Sequence, residues 1–335
     1  MKRRTFLTLL AAGPVAACAG PAHTTLRGLT MGTSYTVELA ASIDDALRAR
    51  LTALIEAELT AINRSMSTYD AQSELARFNT RQDSAWQSAS RGLLEVLDSA
   101  SRISLSSDGA FDVTVGPLVD LWGFGPQVRA RHVPGDEAIR RVRERIGHRH
   151  LQVDLTAGAI RKRHPGTQVD LSAIAKGYGV DRIATVLDRQ GVRDYLVEIG
   201  GELRARGAVA GRPWRVGIER PIEGRRVVGE TVVLRDHAIA TSGTTQDFFE
   251  EQGHHYSHII DPVTAAPVQH PAMAASVIAE TTMEADAWAT AMIVLGPQRG
   301  YALAQAHKLA VLFVTASGSD FDVRVTDAFR GHLAA

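Results

Sequence analysis

Apolar residues recur along this chain with two different periods, and the changes between them mark out its elements. Leu47, Leu51, Leu54, Ile55, Leu59 and Ile62 are spaced for one face of a helix. Ser42 is placed to cap that helix, with Asp44 and Asp45 in the first turn, where negative charge is favoured. Leu93, Leu94, Leu97, Ala100 and Ile103 predict a second helix, and helical patterns return over 136–147, 174–190 and 283–306. The middle and end of the chain otherwise read as short β-rich runs at 151–155, 194–199, 202–208, 213–219, 229–235, 255–260, 273–279 and 310–315, broken by Gly, Pro and Asp. Ahead of them, Leu29 to Val37 combines a glycine turn with β-favouring residues and predicts a strand entering the fold. No fixed-period repeat or low-complexity linker divides the chain. These patterns predict an α+β fold with mixed, largely antiparallel sheets and flanking helices, in a single domain over 29–335.

The first eighteen residues follow a separate logic. Lys2-Arg3-Arg4 precedes a short apolar run that ends at Val15-Ala16-Ala17-Cys18, the layout of an export signal, and the run is too short to span a bilayer. The paired arginines followed by Thr-Phe-Leu resemble a twin-arginine signal, and Val-Ala-Ala-Cys resembles a lipobox, so Cys18 is expected to be acylated and to anchor the protein at the periplasmic face of the bacterial inner membrane. Cys18 is the only cysteine, which rules out an intrachain disulfide. The alternative is an ordinary cleaved signal with an incidental cysteine. Residues 19–28 read as a tether. With 45% hydrophobic content and 37 basic against 37 acidic side chains, the 335-residue chain is globular and formally neutral, which sets nucleic acid aside as a partner and requires any anion site to be local.

Several segments carry candidate chemistry. Asp286 and Thr290 lie four apart on a predicted helix and so share a face, where a carboxylate and a hydroxyl suit a hard cation such as Mg²⁺. By itself this pattern more often means a helix-dipole carboxylate and a threonine bonded to its own backbone. Asp170-Leu171-Ser172-Ala173-Ile174-Ala175-Lys176-Gly177 reads as a strand end turning into a helix, a place where N–H groups and Lys176 can neutralise a phosphate, although it lacks the spacing of a Walker loop; a capped helix with a solvated lysine is the plainer account. Ile199-Gly200-Gly201-Glu202 and Ala240-Thr241-Ser242-Gly243 read as glycine turns or bulges. In His254-His255-Tyr256-Ser257-His258-Ile259-Ile260-Asp261-Pro262, alternation places His258, Ile260 and Pro262 on one strand face. A single histidine near Asp261 suits proton transfer or phosphate binding better than a structural zinc site, and the absence of a G-x-S-x-G elbow argues against a serine hydrolase.

Taken in order, these segments resemble the ApbE family of FAD:protein FMN transferases. The matching stretches are Met31-Gly32-Thr33, Met66-Ser67-Thr68-Tyr69, Gly109-Ala110-Phe111-Asp112 with Gly116-Pro117-Leu118 and Trp122-Gly123-Phe124-Gly125, Asp170 through Asp181, Glu198 through Glu202, Ala240 through Gly243, His258 through Pro262, and Ala285 through Thr290. The resemblance implies transfer of FMN from FAD to a threonine, or a serine, of an exported acceptor protein carrying a threonine-containing target motif, with AMP leaving. It further implies that Met31, Tyr69, Gly109, Ala110, Phe111, Asp170, Lys176, Ile260 and Asp261 line the FAD site, and that Asp286, Thr290 and the carbonyl of Ala173 hold Mg²⁺. His258 is implied as a group that assists proton movement or binds phosphate, and Asp286 as one that orients the metal and influences the incoming hydroxyl.

Two departures accompany the resemblance. Thr244-Thr245-Gln246 stands where a tyrosine is common in the family, and Ala265 stands where glycine is common, which matters if that position needs positive φ. Two other functions compete: FAD hydrolysis to FMN and AMP, with water in place of the acceptor, and a lipid-anchored flavin-binding protein without turnover. Magnesium dependence discriminates the last of these from the two enzymes.

Overall fold

The computed structural model describes residues 23–125, 130–222, 227–245, 247–318 and 320–334. The signal over 1–18, Cys18 and residues 19–22 of the tether lie outside the described residues. The rest of that tether is ordered more than expected: Thr24–Thr30 forms strand β1, which pairs antiparallel with β2, Thr33–Leu39. The two-residue connection Met31-Gly32 has φ of 49° and 73°, the double positive φ that tight hairpins use to match strand twist. Glycine adopts this conformation freely; Met31 is strained in it.

Six further strands extend this hairpin: β3 (Tyr195–Ile199), β4 (Glu202–Arg206), β5 (Ala238–Gly243), β6 (Ala272–Ala279), β7 (Ala310–Ser317) and β8 (Asp320–Val325). They form one eight-stranded sheet whose spatial order follows chain order, every neighbouring pair antiparallel. The segment Ala240–Gly243, expected to turn, lies within β5. Pairing with β6 along its length and with β4 at its start outweighs the local turn preference of Ser and Gly. The predicted strand over 255–260 is split between Phe248–Glu251 paired with His254–Ser257 and Ile260–Asp261 paired with Ala266–Pro267, so His258 sits in the break and shares no strand face with Ile260.

Of the four long helices, α1 (Asp45–Met66), α2 (Arg91–Ser106), α3 (Ala175–Arg189) and α4 (Thr282–Ala306), α1, α3 and α4 pack on the sheet and α2 packs on α1 and α4. Asp44, rather than Ser42, caps α1 by accepting from the Leu47 N–H at 2.7 Å. The helix predicted over 136–147 ends at Arg143. In the sheet, Ala275, Val277, Val311 and Phe313 face the helices, while Ala274, Ile278, Leu312 and Val314 face Trp214, Val216, Val232 and Leu234 of a small three-stranded sheet that covers the other side. Burial on both faces explains why β6 and β7 are mostly apolar on both sides, with no strict alternation of apolar and polar residues. α4 breaks at Gly296 and Pro297. Pro297 has no N–H to give to the Ile293 carbonyl four residues back, and His270 Nε2 lies 2.6 Å from that oxygen and takes over as donor.

Candidate functional site

The site forms where the first turns of α3 and α4 cross. The chain reaches α3 through an extended stretch that belongs to no sheet, in place of the expected strand end. Asn79 holds this stretch as a single-residue partner, accepting from the Val169 N–H and donating to the Val169 carbonyl, both at 2.8 Å. The fully buried Lys162 ammonium donates in turn to the carbonyls of Asn79 and Thr167 at 2.9 and 3.1 Å. The next residue, Asp170, donates its N–H to Val113 and accepts from the Ser172 N–H, which opens the turn into α3. Gly177 is required at the crossing, because a Cβ there would lie 2.3 Å from the Thr282 carbonyl oxygen.

Lys176, in the first turn of α3, stands between two buried carboxylates. Its Nζ lies 2.6 Å from Glu202 Oε1 at the start of β4, and the charge of Asp286, from α4, also acts on it. Burial alone would favour neutral lysine; Asp286 and Glu202 reverse this and hold Lys176 as a cation with its pKa above the usual lysine range. Glu202 is 3% exposed, and its second oxygen, Oε2, has no hydrogen-bond partner among the described residues. Burial pushes its pKa up to about 8 against the opposing pull of Lys176. Asp286, likewise 3% exposed, is raised by burial while Lys176 and the Gly177 N–H pull it down; that N–H donates to Oδ2 at 3.0 Å.

Asp286 and Thr290, two of the residues expected to hold a cation, lie four apart on α4. The Thr290 hydroxyl lies 3.0 Å from that of Ser242 on β5. The Gly177 N–H, four residues after Ala173, turns to Asp286, and the Ala173 carbonyl accepts no backbone hydrogen bond among the described residues. Carboxylate, hydroxyl and carbonyl oxygens of this kind match a hard divalent cation. Among the described residues no group of three or more His, Cys, Asp or Glu side chains is arranged to hold a metal.

His258 is close enough for the Lys176 charge to lower its pKa, together with burial, which is the larger cause; the Asp247 carbonyl and carboxylate act in the opposite direction. Its Nδ1 lies 3.1 Å from the Asp247 carbonyl and donates to it, which leaves Nε2 as the acceptor of a neutral imidazole. Phe124 packs edge-on to the ring, and Arg131 lies over Phe124 while pairing with Asp247.

The remaining candidates are placed unequally. Met31 reaches α3, where its Cε lies 3.0 Å from the position a Cβ would take on Gly179. Tyr69 follows α1 and is 76% exposed. Gly109 has φ of 79°, whereas the side chains of Ala110 and Phe111 are buried in the core, so a ligand would meet their backbone. Ile260 is buried, and Asp261 closes a turn by accepting from the Val263 N–H with its side chain and from the Ala265 N–H with its carbonyl. Ala265 does adopt positive φ, 63°, fully buried, and its carbonyl receives the Trp122 indole N–H at 3.1 Å. Glu202 and Ser242 were visible in the sequence only as parts of glycine-containing stretches; no local pattern distinguishes them from turn residues.

The ApbE family model matches residues 31–313. An FAD:protein FMN transferase of Vibrio cholerae serotype O1 is 40% identical over 322 residues, covering 96% of each chain. One from Salmonella typhimurium is 38% identical over 96% of this chain and 93% of its own. The apo crystal structure of the Pseudomonas stutzeri flavinyl transferase ApbE superposes with a TM-score of 0.86 at 37% identity, over 96% of this chain and 99% of that one.

Proposed function

Because this chain belongs to the ApbE family, we propose that it transfers FMN from FAD to a threonine or serine hydroxyl of an exported acceptor protein, with Mg²⁺ as cofactor and AMP as the second product. The observation that carries this reading is the Lys176 ammonium at a helix start, acted on by the charge of the buried Asp286, whose helix also presents the Thr290 hydroxyl one turn further on. Such a site places positive charge and oxygen ligands at one point, which is what a pyrophosphate and its cation require.

In the proposed reaction the acceptor oxygen forms a bond to the FMN phosphorus as the bond to the bridging oxygen breaks, and AMP departs with that electron pair. The hydroxyl proton goes to a base, for which His258 Nε2 is suited by its neutral tautomer. Lys176 neutralises phosphate charge that grows toward the transition state; the Asp286 charge favours its cationic form, and Glu202 aims it through their 2.6 Å hydrogen bond. Asp286, Thr290 and the Ala173 carbonyl would hold Mg²⁺, which supplies Lewis-acid charge neutralisation on the pyrophosphate when bound. Met31, Tyr69, Asp170, Asp261 and the backbone at Gly109 to Phe111 are assigned to FAD. We propose also that residues 1–18 direct export by the twin-arginine route and that acylated Cys18 anchors the protein to the inner membrane on its periplasmic side.

Intact-mass spectrometry of an exported acceptor, incubated with the enzyme, FAD and Mg²⁺, tests the reading. A gain of one FMN residue, abolished by replacing the target threonine, is expected. AMP release without labelling would make the protein an FAD hydrolase, and bound FAD with neither product would make it a flavin binder.

A further inference from the structure

The two helices that meet at the site start without adequate caps of their own. Every helix begins with N–H groups that no intrahelical carbonyl can reach. At α3 the capping position is Ile174, whose side chain can accept nothing. At α4, Thr281 accepts only from the Glu284 N–H, at 3.3 Å, which leaves the N–H groups of Thr282 and Met283.

Each helix supplies the acceptor that the other lacks. Asp181, on α3, accepts from the Thr282 N–H at 3.0 Å, the Thr282 hydroxyl at 3.0 Å and the Met283 N–H at 2.9 Å. Asp286, on α4, accepts from the Gly177 N–H in the first turn of α3 at 3.0 Å. Arg204, on β4, ties the pair to the sheet by donating to Asp181 at 2.9 Å and to the Glu280 carbonyl at 2.6 Å. Burial works against an ionised Asp181, while these donors and the Arg204 charge favour it. We propose that Asp181 is a positioning residue: with Asp286 it makes a reciprocal clamp, each carboxylate capping the first turn of the other helix, and the clamp sets Lys176 of α3 in register with Asp286 and Thr290 of α4.

The clamp has a consequence for cation binding, which rests on the metal assignment made above. Asp286 serves both as a cap for α3 and as a cation ligand, so the order of the α3 first turn and the aim of the ligands vary together. Asp181 is not among the residues assigned to FAD or to the cation, and it acts through α4.

Native-state hydrogen exchange on the full chain, without FAD or metal, tests the clamp independently of any activity. In Asp181→Asn one of the amides of Thr282 and Met283 loses its acceptor, and in Asp181→Ala, if it folds, both lose protection in any account. Reciprocity requires the amide of Gly177, which Asp181 does not touch, to lose protection with them. Unchanged protection at Gly177 would overturn the proposal. A second readout is the Mg²⁺ concentration that half-saturates FAD binding, followed by flavin fluorescence. It should rise about tenfold in Asp181→Asn, the scale of a lost helix cap, whereas Asp327→Asn, at a distant short helix, should leave it unchanged. An unchanged value in Asp181→Asn would also overturn the proposal. If the parent protein bound FAD without any response to Mg²⁺, the metal assignment would fail while the exchange result at Gly177 still decided the clamp.

Discussion

Asp112 and Asp286 are both aspartates buried to 6% and 3% exposure, both raised in pKa by burial, and both at the start of a helical segment, yet their surroundings differ completely. Asp112 has donors on both oxygens. Its Oδ1 accepts from the Thr114 N–H and hydroxyl at 2.8 and 2.6 Å, and its Oδ2 from the His148 N–H at 2.7 Å, with the Thr114 hydroxyl also accepting from Gly147. Asp286 has one donor on Oδ2 and none on Oδ1 among the described residues; its balance comes from Lys176. Burial of a carboxylate therefore does not distinguish structure from function. Incomplete hydrogen bonding beside the Lys176 cation is what marks Asp286 as the candidate ligand, because a carboxylate with donors on both oxygens has less capacity left for one.

The sharpest break of this comparison is Asp286→Asn. The amide oxygen can still accept from Gly177, so the fold should hold, while FMN transfer to the acceptor falls about 10³-fold, the loss expected for removing a charge that organises transition-state stabilisation. A variant within tenfold of the parent, by rate of acceptor mass gain, would remove Asp286 from the active centre. Asp112→Ala should show the reverse profile. Three donors are left without an acceptor, and urea unfolding should report a loss of about 3 kcal/mol, with transfer per folded molecule nearly unchanged.

Glu202→Gln sharpens the comparison through pH. The folded-state pKa of Glu202, about 8, lies above its ordinary value of 4.5, so the folded chain retains a proton that the unfolded chain loses first. The stability contributed by Glu202 is complete below pH 4.5 and declines as pH rises through 8. Glutamine has no such dependence, and the difference in melting temperature between variant and parent should move in favour of the variant across that window. A constant difference would show that Glu202 is ionised in both states. The smallest effect is expected at Ala265→Gly, which relieves positive φ at the cost of a freer unfolded chain and should stabilise by about 0.5 kcal/mol in the same urea measurement.

Much of the scaffold was legible because it follows from periodicity. The α1 face from Leu47 to Ile62 was readable, and of those residues Leu51, Ile55, Leu59 and Ile62 are buried. β5 was misread because Thr241, Ser242 and Gly243 carry turn preferences that only pairing with β6 overrides. β8 went unread because its Asp-Phe-Asp-Val-Arg-Val pattern suits an exposed sheet edge and has no apolar run. In the site, Asp286 and Thr290 share a helix face and were visible at a spacing of four. Glu202 was not, since a glutamate after two glycines carries no local sign that a lysine 26 residues earlier will meet it.

By itself the sequence determined what is local: the helix faces, the apolar strands, the spacing of Asp286 and Thr290, and the ordered set of motifs that resembles one family. Only the tertiary structure decided that Glu202, Lys176 and Asp286 share one buried site, that Asp181 and Asp286 cap each other's helices, and that Asp112, equally buried, is spent on structure. Local features depend on side-chain period and backbone preference over a few residues. Charge state and ligand capacity depend on which donors arrive from segments about a hundred residues away, as Thr282 does for Asp181 and Gly177 for Asp286.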